Sequence, residues 1–285
     1  MLTLRAPAKI NLTLEVLSRR DDGYHGIRSV MVPLELADEL TIAASAAFRF
    51  TCDRRELENE SNLVVAALRS LGELPPVEVE LRKRIPLQAG LGGGSSDAAA
   101  MLKAAMEGAF GPSPRRDWLR LARALGSDVP FFLAGTAALV EGTGERVTPA
   151  GTIARWHVLV IKPPVAISTA AAYEALDRRP PAPRPRNASV SIALLAALQR
   201  DDFAQVESLM HNDFQETIAV VPEIAAALAA LRAAGASNAL LAGSGSCVFT
   251  VSPNAAAIRA AAARLALPPE YQSWVTAFAA SEQWR

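Results

Sequence analysis

The apolar positions near the N-terminus recur at every second residue. Leucine, isoleucine and valine alternate with other residues at both ends of Leu2–Leu17, which predicts a β-strand over this segment. The pattern is interrupted at Ala6-Pro7, because proline cannot donate a hydrogen bond to a neighbouring strand. The polar run Arg19–Gly23 follows and ends in Asp-Gly, a dipeptide that favours a tight turn.

Strand and helix periods alternate along the rest of the chain and indicate an α+β fold. The sequence shows no internal repeat of 20–50 residues, so the pattern does not indicate a repeat protein. Ser61 precedes the first helical pattern and is expected to cap it. The predicted strands are Val30–Leu36, Glu39–Ala43, Val77–Leu81, Ala137–Glu141, Val158–Ile161, Cys247–Val251 and Ser273–Phe278. The predicted helices are Asn62–Leu71, Ala98–Phe110, Arg115–Leu125, Val190–Gln199, Phe203–Phe214, Glu223–Ala234 and Ala255–Leu265.

A domain boundary is predicted between Pro149 and Trp156. It separates a strand-richer half, residues 1–152, from a helix-richer half, residues 153–285. The proline-rich stretch Arg178–Asn187 can continue neither a helix nor a central strand and is expected to form a surface loop. Since ligands favour clefts between domains, we expect the functional site where the halves meet.

The composition narrows the possible functions. The 285 residues carry 29 basic and 29 acidic side chains, a balance that argues against nucleic-acid binding. We interpret the basic cluster Arg82-Lys83-Arg84 as a solvated face. Cys52 and Cys247 form no metal-binding or disulfide pattern. With no signal-peptide pattern and no apolar run of membrane-spanning length, we expect a cytoplasmic protein without a membrane partner.

The strongest chemical signal is the first glycine segment, Gly90–Asp97 (GLGGGSSD), which leads into a predicted helix. Glycines leave backbone N–H groups free to converge on an anion, and the helix start adds unpaired N–H groups and a positive dipole end. Asp97 would repel a phosphate, so its side chain is expected to turn away. A glycine-rich turn that merely caps the helix is the alternative. The residues expected to hold phosphate are Gly90, Leu91, Gly92, Gly93, Gly94, Ser95 and Ser96.

Three familiar nucleotide motifs are excluded. A Walker motif needs lysine after its last glycine, where this chain has Ser95. The glycine spacing does not match G-x-G-x-x-G, and no acid lies at a strand end about 20 residues further on. The H-R-D and D-F-G sequences of protein kinases are absent.

Three segments together resemble the motifs of the GHMP kinases. They are Ala6–Leu12 (APAKINL), the first glycine segment and Leu241–Phe249 (LAGSGSCVF). The likeness runs from Ala6 to about Phe249. It implies a two-lobed α+β fold, with an N-terminal lobe like the second domain of ribosomal protein S5, a ferredoxin-like C-terminal lobe and the active site in the cleft between them. It also implies ATP as phosphoryl donor and Mg²⁺ as its companion ion, held mainly by ATP.

The segments Arg19–His25 (RRDDGYH) and Leu125–Phe132 (LGSDVPFF) resemble a particular group within this family. Its members phosphorylate a hydroxyl of the methylerythritol part of a cytidine diphosphate conjugate, in the non-mevalonate route to isoprenoid precursors. A GHMP kinase for a mevalonate derivative, homoserine or a sugar, and a non-catalytic nucleotide-binding regulator, remain as alternatives. The sequence leaves monomer and homodimer open.

The resemblance implies roles for three polar residues. Asp128 would be the general base that takes the proton of the alcohol. Lys9 would lie beside it and stabilise the charge that develops during transfer. Asn62 would lie near the adenine pocket. From position alone, Asp128 and Asn62 could instead cap helices, and Lys9 could extend to solvent from an edge strand.

The resemblance also implies a binding site for the acceptor. Tyr24 would stack on the cytosine, His25 would bond the edge of the base, and Tyr173 would close the stack. Alternatives are a surface turn for the first two and core packing for Tyr173. Further substrate contacts are expected from Asn11 and Thr169, and from the second glycine segment, which consists of Gly243, Ser244 and Gly245.

Overall fold

The N-terminal half is built around one long central strand. The computed structural model describes residues 1–21, 23–111, 116–178 and 189–280. The central strand, β3 (His25–Ala44), pairs antiparallel with four other strands along its length. Those four are β1 (Leu2–Asn11), β2 (Thr13–Arg19), β5 (Val77–Arg82) and β6 (Ala138–Gly142), and the sheet is extended by β4 (Arg49–Cys52) and β7 (Arg146–Pro149).

Helices cover this sheet, and the central one is rich in alanine. The small side chains of helix α2 (Gly93–Met106) let it pack closely on β1 and on its neighbouring helices. Its residues from Ser96 to Leu102 are all buried. The neighbouring helices are α1 (Leu63–Arg69), α3 (Trp118–Leu125) and α4 (Val129–Ala134).

The C-terminal half contains a four-stranded antiparallel sheet. Its strand order is β10 (Leu240–Leu241), β11 (Val248–Ser252), β8 (His157–Lys162) and β12 (Gln272–Ala277). This order, with helices before β10 and between β11 and β12, is that of the expected ferredoxin-like lobe. The helices are α5 (Thr169–Asp177), α6 (Val190–Gln199), α7 (Phe203–Leu209), α8 (Gln215–Ile218), α9 (Pro222–Ala233) and α10 (Ala255–Arg264). The predicted two-lobed α+β fold is confirmed.

The two halves are joined by backbone pairing. A short strand of the C-terminal half, β9 (His211–Asn212), pairs in parallel with β2. Phe278 forms an isolated bridge with Leu34 on β3. The predicted split into residues 1–152 and 153–285 falls between β7 and β8 and stays a prediction.

Two strand predictions are wrong near the N-terminus. β1 runs through Ala6-Pro7, because its register against β3 shifts between Pro7 and Lys9 and this bulge accommodates the proline. The predicted strands Val30–Leu36 and Glu39–Ala43 are one strand, since β3 stays paired with β1 through Asp38. The turn predicted over Arg19–Gly23 includes Asp22, which lies outside the described residues. On either side of it, the N–H of Gly23 donates to the carbonyl of Arg20, and Gly23 has a φ of +84°.

Three helix predictions are wrong in their bounds. The helix predicted over Ala98–Phe110 begins at Gly93, so most of the first glycine segment is helical, and it ends at Met106. Asn62, not Ser61, caps α1. The helix predicted over Phe203–Phe214 ends at Leu209, because the next residues pair with β2.

Other predicted elements are present with shifted ends, and several short ones are new. The helix predicted over Arg115–Leu125 begins at Trp118, and Arg115 lies outside the described residues. Most of the proline-rich stretch Arg178–Asn187 also lies outside them. The patterns did not predict β4, β7, α4 or α8, because each is too short to show a period.

Candidate active site

Lys9 lies inside the protein beside a carboxylate. Its residue exposure on β1 is only 4%. The Nζ atom donates a 2.7 Å hydrogen bond to Oδ1 of Asn11 and lies 3.6 Å from Oδ2 of Asp128. The backbone N–H of Lys9 donates to the carbonyl of Leu91. Lys9 therefore does not extend to solvent from an edge strand, and it contacts the first glycine segment directly.

Asn11 orients Lys9. Its Oδ1 accepts from Lys9, and its Nδ2 donates to Oγ of Ser29 at 2.8 Å. Ser29 in turn donates to the carbonyl of Thr13 at 2.6 Å. These buried bonds hold the Lys9 ammonium group toward Asp128. Contact between Asn11 and a substrate stays a prediction.

Asp128 precedes helix α4 but does not cap it through its side chain. It occupies the N-cap position after the turn at Gly126, and its carboxylate accepts no capping hydrogen bond from the helix. The side chain is 28% exposed. Asp128 therefore presents a carboxylate that is accessible to solvent and lies close to a buried ammonium group.

The first glycine segment supplies backbone donors at the start of α2. Gly92 is the N-cap, with a φ of +74°, and Ser96 N–H makes the first helical bond to its carbonyl. The N–H groups of Gly93, Gly94 and Ser95 lie before that bond, where helix geometry leaves them without intrahelical acceptors. Three successive donors at the positive end of a 14-residue helix form a site suited to an anion.

The two glycine segments are in contact across the two halves. A Cβ atom on Gly90 would lie 2.0 Å from the carbonyl oxygen of Ala242, and one on Gly243 would lie 3.2 Å from Nζ of Lys9. A Cβ atom on Gly92 would lie 2.9 Å from the ring of Phe132. Side chains at these positions would separate the segments or displace Lys9.

Asn212 holds the second glycine segment, and the sequence patterns gave no indication of this role. Its Nδ2 donates to the carbonyls of Leu241 and Gly243, both at 2.8 Å, and its Oδ1 accepts from Phe214 N–H. Asn212 lies on β9, beside β2. At the rim, Oγ1 of Thr169 lies 3.2 Å from Oγ of Ser244.

His25 and Tyr173 form an aromatic surface. Their rings stack with centroids 5.4 Å apart at 18°, and Tyr173 packs edge-on against Phe214. Burial, and second the charge of Asp128, raise the pKa of Tyr173 to about 12, so its hydroxyl stays protonated at neutral pH. Tyr173 therefore both packs on a core residue and reaches the neighbourhood of Asp128.

The two ring nitrogens of His25 have different surroundings. Nδ1 lies 3.0 Å from the carbonyl of Leu17, which can only accept, so Nδ1 carries the hydrogen. Nε2 is buried and has no hydrogen-bond partner among the described residues, although Oδ1 of Asp177 lies 2.9 Å away. That carboxylate is at ion-pair distance but outside hydrogen-bond geometry. A ligand with a suitable polar edge could satisfy Nε2.

Two predicted site residues lie in other surroundings. Tyr24 is 69% exposed, and the ring that stacks on Tyr173 is that of His25. Asn62 caps α1, since its Oδ1 accepts from Val64 N–H and its Nδ2 donates to the carbonyl of Leu57. The helix-cap alternative for Asn62 is thus observed, and its contact with adenine stays a prediction.

The interpretation of Arg82-Lys83-Arg84 as a solvated face is wrong for its middle residue. Arg82 and Arg84 are exposed, but Lys83 is only 7% exposed and lies between Asp38 and Asp97. Asp97 is thereby engaged within the protein. The available signal was Asp38, which stands where the alternation of Leu34, Leu36, Leu40 and Ile42 along β3 would place an apolar residue.

The described residues contain neither a metal cluster nor a helix that could cross a membrane. No group of three or more potential side-chain ligands comes together in the part of the chain that the structure describes. Its helices are all too short or too polar to span a bilayer.

Two family profiles match the halves of the chain. The profile described as GHMP kinases N terminal domain matches residues 62–136, which include the first glycine segment and Asp128. The profile described as GHMP kinases C terminal matches residues 194–268, which include the second glycine segment. The fold is therefore that of a GHMP kinase, a small-molecule kinase.

Relatives narrow the class. The 4-diphosphocytidyl-2-C-methyl-D-erythritol kinase of Deinococcus radiodurans is 41% identical over 95% of this chain and 91% of its own length. That of Pelotomaculum thermopropionicum is 38% identical over 93% of each chain. A crystal structure of 4-(cytidine 5'-diphospho)-2C-methyl-D-erythritol kinase superposes with a TM-score of 0.80 and 34% identity, over 98% of this chain and 100% of that one. This chain belongs to that family of kinases.

Proposed function

We propose that the chain transfers the γ-phosphoryl group of ATP to the 2-hydroxyl of 4-diphosphocytidyl-2-C-methyl-D-erythritol. The products would be the 2-phosphate and ADP, in the non-mevalonate route to isoprenoid precursors. The observation that most supports this proposal is the Lys9–Asp128 pair, in which Nζ of Lys9 lies 3.6 Å from the carboxylate of Asp128. The two glycine segments are in contact beside this pair. The names of the relatives support the choice of acceptor.

Asp128 is placed to remove the proton of the acceptor alcohol. An alcohol attacks phosphorus efficiently only if its proton has somewhere to go as the new P–O bond forms. Asp128 has an accessible carboxylate, and its neighbour Lys9 is held by Asn11. The ammonium group would stabilise negative charge on the attacking oxygen and the transferring group. The transfer is direct, without a covalent enzyme intermediate.

The first glycine segment would bind the phosphates of ATP. The N–H groups of Gly93, Gly94 and Ser95 point out of the positive end of α2, and Lys9 bonds the adjoining Leu91. Gly90, Gly92 and Ser96 complete the segment, and Asn62 would lie toward adenine. The second glycine segment would approach the acceptor from the opposite half.

Mg²⁺ would be held mainly by ATP. The site offers one accessible carboxylate, Asp128, and the hydroxyl of Ser96, which is buried without a hydrogen-bond partner among the described residues. This sparse donor set is compatible with an ion that keeps phosphate oxygens and water as its other ligands. Bound there, Mg²⁺ would neutralise charge on the β- and γ-phosphates.

The cytidine part of the acceptor would occupy the aromatic surface of His25 and Tyr173. With Nδ1 donating to the carbonyl of Leu17, Nε2 is the ring nitrogen of His25 that would bond the polar edge of cytosine. Tyr24, next to it in the chain, would cover the base. Thr169 and Ser244 would bond the polar middle of the substrate.

The reaction is expected to take place in the cytoplasm. Cys52 and Cys247 are both free and buried, which suits a reducing compartment. Monomer and homodimer are both compatible with this proposal.

The direct test is ADP release coupled to a spectrophotometric readout. The chain is mixed with ATP, Mg²⁺ and the cytidine diphosphate conjugate, with mevalonate and homoserine as control acceptors. We expect ADP release that depends on the conjugate and is much faster than with either control. Equal or faster release with a control acceptor would assign the chain to a different GHMP kinase activity.

The cytosine site is tested by His25→Ala. Loss of the ring removes a stacking surface and the polar Nε2 atom, so we expect KM for the cytidine conjugate to rise about tenfold while KM for ATP changes little. His157→Ala is the matched control and should change neither KM. Unchanged affinity for the conjugate in His25→Ala would remove His25 from the cytosine site.

A further inference from the structure

Lys83, Asp38 and Asp97 form a buried charge cluster that the proposed reaction does not use. Their residue exposures are 7%, 0% and 2%. Nζ of Lys83 donates to Oδ2 of Asp97 at 2.7 Å and also to Oδ2 of Asp38. The three residues come from different places in the chain: Asp38 from β3, Lys83 from the segment after β5, and Asp97 from α2.

Asp38 also anchors the backbone that leads into the first glycine segment. Its Oδ1 accepts from the N–H groups of Arg84 and Ile85, at 2.5 and 2.8 Å. The backbone N–H of Lys83 donates to Oδ1 of Asp53 at 2.9 Å. The entry to the segment is therefore held to β3 by side-chain bonds, with Lys83 linking it onward to α2.

The cluster lies directly under the start of α2. A Cβ atom on Gly93 would lie 3.2 Å from Nζ of Lys83 and 3.4 Å from Oδ2 of Asp38. Asp97 follows the donors Gly93, Gly94 and Ser95 in the next turn of the same helix. A change in the position of the Lys83 ammonium group would thus move the first turn of α2.

Stability alone does not explain such a cluster. Taking charges out of water costs free energy that mutual attraction often fails to recover, and well-packed apolar residues frequently serve as well. With both carboxylates ionised, the cluster carries one excess negative charge. Oδ1 of Asp97 has, in addition, no hydrogen-bond partner among the described residues. The directed bonds of Lys83 instead define one relative position of β3 and α2.

We propose that Lys83 is a positioning residue for ATP, tying the start of α2 to β3 through Asp97 and Asp38 so that the first-turn N–H groups meet the phosphates. Lys83 acts through the helix and touches neither substrate. The inference rests on the proposed function, because it takes the first glycine segment as the phosphate site.

The test is Lys83→Met in the full chain, with KM measured separately for ATP and for the cytidine conjugate. Methionine keeps most of the side-chain volume but makes neither bond. Because small misplacements of binding groups are costly, we expect KM for ATP to rise about tenfold or more, with KM for the conjugate within about twofold of the original value. Arg84→Met, which changes an exposed neighbouring side chain, is the matched control and should leave both values unchanged.

An unchanged KM for ATP in folded Lys83→Met would overturn the proposal, as would equal increases for both substrates. If the unsubstituted chain shows no kinase activity with any acceptor, the proposed function fails, but this result does not decide whether Lys83 positions ATP. Calorimetric binding of the ATP analogue AMPPNP then replaces KM: a loss of affinity in Lys83→Met supports the positioning role, and equal affinity contradicts it.

A second variant covers the case in which Lys83→Met does not fold. The double variant Lys83→Met/Asp97→Asn removes one carboxylate together with the ammonium group, so that the site keeps a net charge of one negative unit and Asp38 keeps its two backbone donors. We expect its melting temperature to recover while KM for ATP stays high. Recovery of the original KM for ATP together with stability would show that the cluster only stabilises the fold.

Discussion

The two buried lysines flank the same glycine segment in different surroundings. Lys9 has its aliphatic chain against Gly92, and Lys83 has its ammonium group against Gly93. Lys9 bonds one neutral amide and lies 3.6 Å from one carboxylate that solvent can reach. Lys83 bonds two carboxylates that are both buried.

In the proposed mechanism, this difference separates the reacting site from a structural one. The carboxylate beside Lys9 is only partly engaged and can accept a proton, and the ammonium group can respond to charge on a ligand. The carboxylates around Lys83 are occupied by that lysine or by backbone donors, apart from Oδ1 of Asp97. Burial of a lysine therefore does not by itself indicate catalysis, and the proposed assignment rests on the exposure and incomplete bonding of Asp128.

The largest expected effect comes from removing the proposed base beside Lys9, Asp128. Asp128→Asn keeps the shape of the side chain but cannot take the proton, so we expect kcat to fall by about 10²- to 10⁴-fold. Calorimetric affinity for ATP should change little. Asp117→Asn, at a helix cap away from this pair, is the control and should retain kcat. Near-normal turnover in Asp128→Asn would remove Asp128 from the mechanism.

The second effect compares the two lysines directly. Lys9→Met removes a charge from beside the reacting groups, and we expect a fall in kcat of about 10²-fold or more, as for other electrostatic contacts of this kind. Lys83→Met should act mainly on KM for ATP. Steady-state kinetics of both variants distinguish these patterns. The comparison fails if the two variants change the same parameter to the same extent.

The third prediction concerns the thermal stability of variants at the glycines beside the two lysines, Gly92 and Gly93. Gly92 has a left-handed φ of +74°, so Gly92→Ala costs roughly 1–2 kcal/mol in backbone strain, and its methyl would also meet the ring of Phe132. Gly93 is helical, so Gly93→Ala gains roughly 0.5–1 kcal/mol in helix propensity. This gain offsets the cost of the close contact between the added methyl group and Nζ of Lys83. Thermal unfolding should show the larger loss for Gly92→Ala, and the reverse order would contradict the described geometry.

The smallest expected effect is a change in the pH dependence of stability. Burial raises the pKa of Asp97 from 3.8 to about 8, against the lowering effect of Lys83 and with Asp38 acting in the same direction as burial. Burial raises the pKa of the Cys52 thiol on β4, and the charges of Lys83 and Asp97 also act on that thiol. Between pH 3.8 and about pH 8, Asp97 holds its proton in the folded chain and releases it in the unfolded chain. The protonated Asp97 therefore contributes fully to the free energy of unfolding below pH 3.8, and this contribution is lost as the pH rises toward 8.

Asp97→Asn removes this titration. We expect the difference in melting temperature between Asp97→Asn and the original chain to shift in favour of the variant between pH 5 and pH 8. Glu145→Gln serves as the control. Burial acts to raise the pKa of Glu145, but hydrogen bonds from its own backbone N–H and from Thr143 leave that pKa below its ordinary value of 4.5. Its stability contribution therefore changes below this pH range, and the difference in melting temperature for Glu145→Gln should stay nearly constant between pH 5 and pH 8. A constant difference for Asp97→Asn across this range would show that Asp97 stays ionised.

The sequence predicted the site best where the functional groups lie within one continuous segment of the chain. Glycines followed by serines and an alanine run predicted backbone donors at a helix start, although the helix begins five residues earlier than expected, at Gly93 instead of Ala98. Glycine lowers helix propensity, but close packing of Gly93 on Lys83 and Ile85 overrides it. Resemblance added Lys9 and Asp128, and the structure places their side chains together.

What the sequence could not predict depends on contacts between distant residues. Lys83 looks like part of an exposed basic run until Asp38 and Asp97 are seen beside it. Asn212 lies within the predicted helix Phe203–Phe214, but it pairs with β2 as part of β9, and its amide donates to the second glycine segment. Neither the spacing of residues along the chain nor their helix and strand propensities indicate which distant residues come into contact.

The central claim is tested most directly by a crystal structure with the ATP analogue AMPPNP and the cytidine conjugate bound together. The account predicts the phosphates against the N–H groups of Gly93, Gly94 and Ser95, and the acceptor hydroxyl about 3 Å from the carboxylate of Asp128. A triphosphate bound away from the start of α2, or an acceptor hydroxyl out of reach of Asp128, would contradict it.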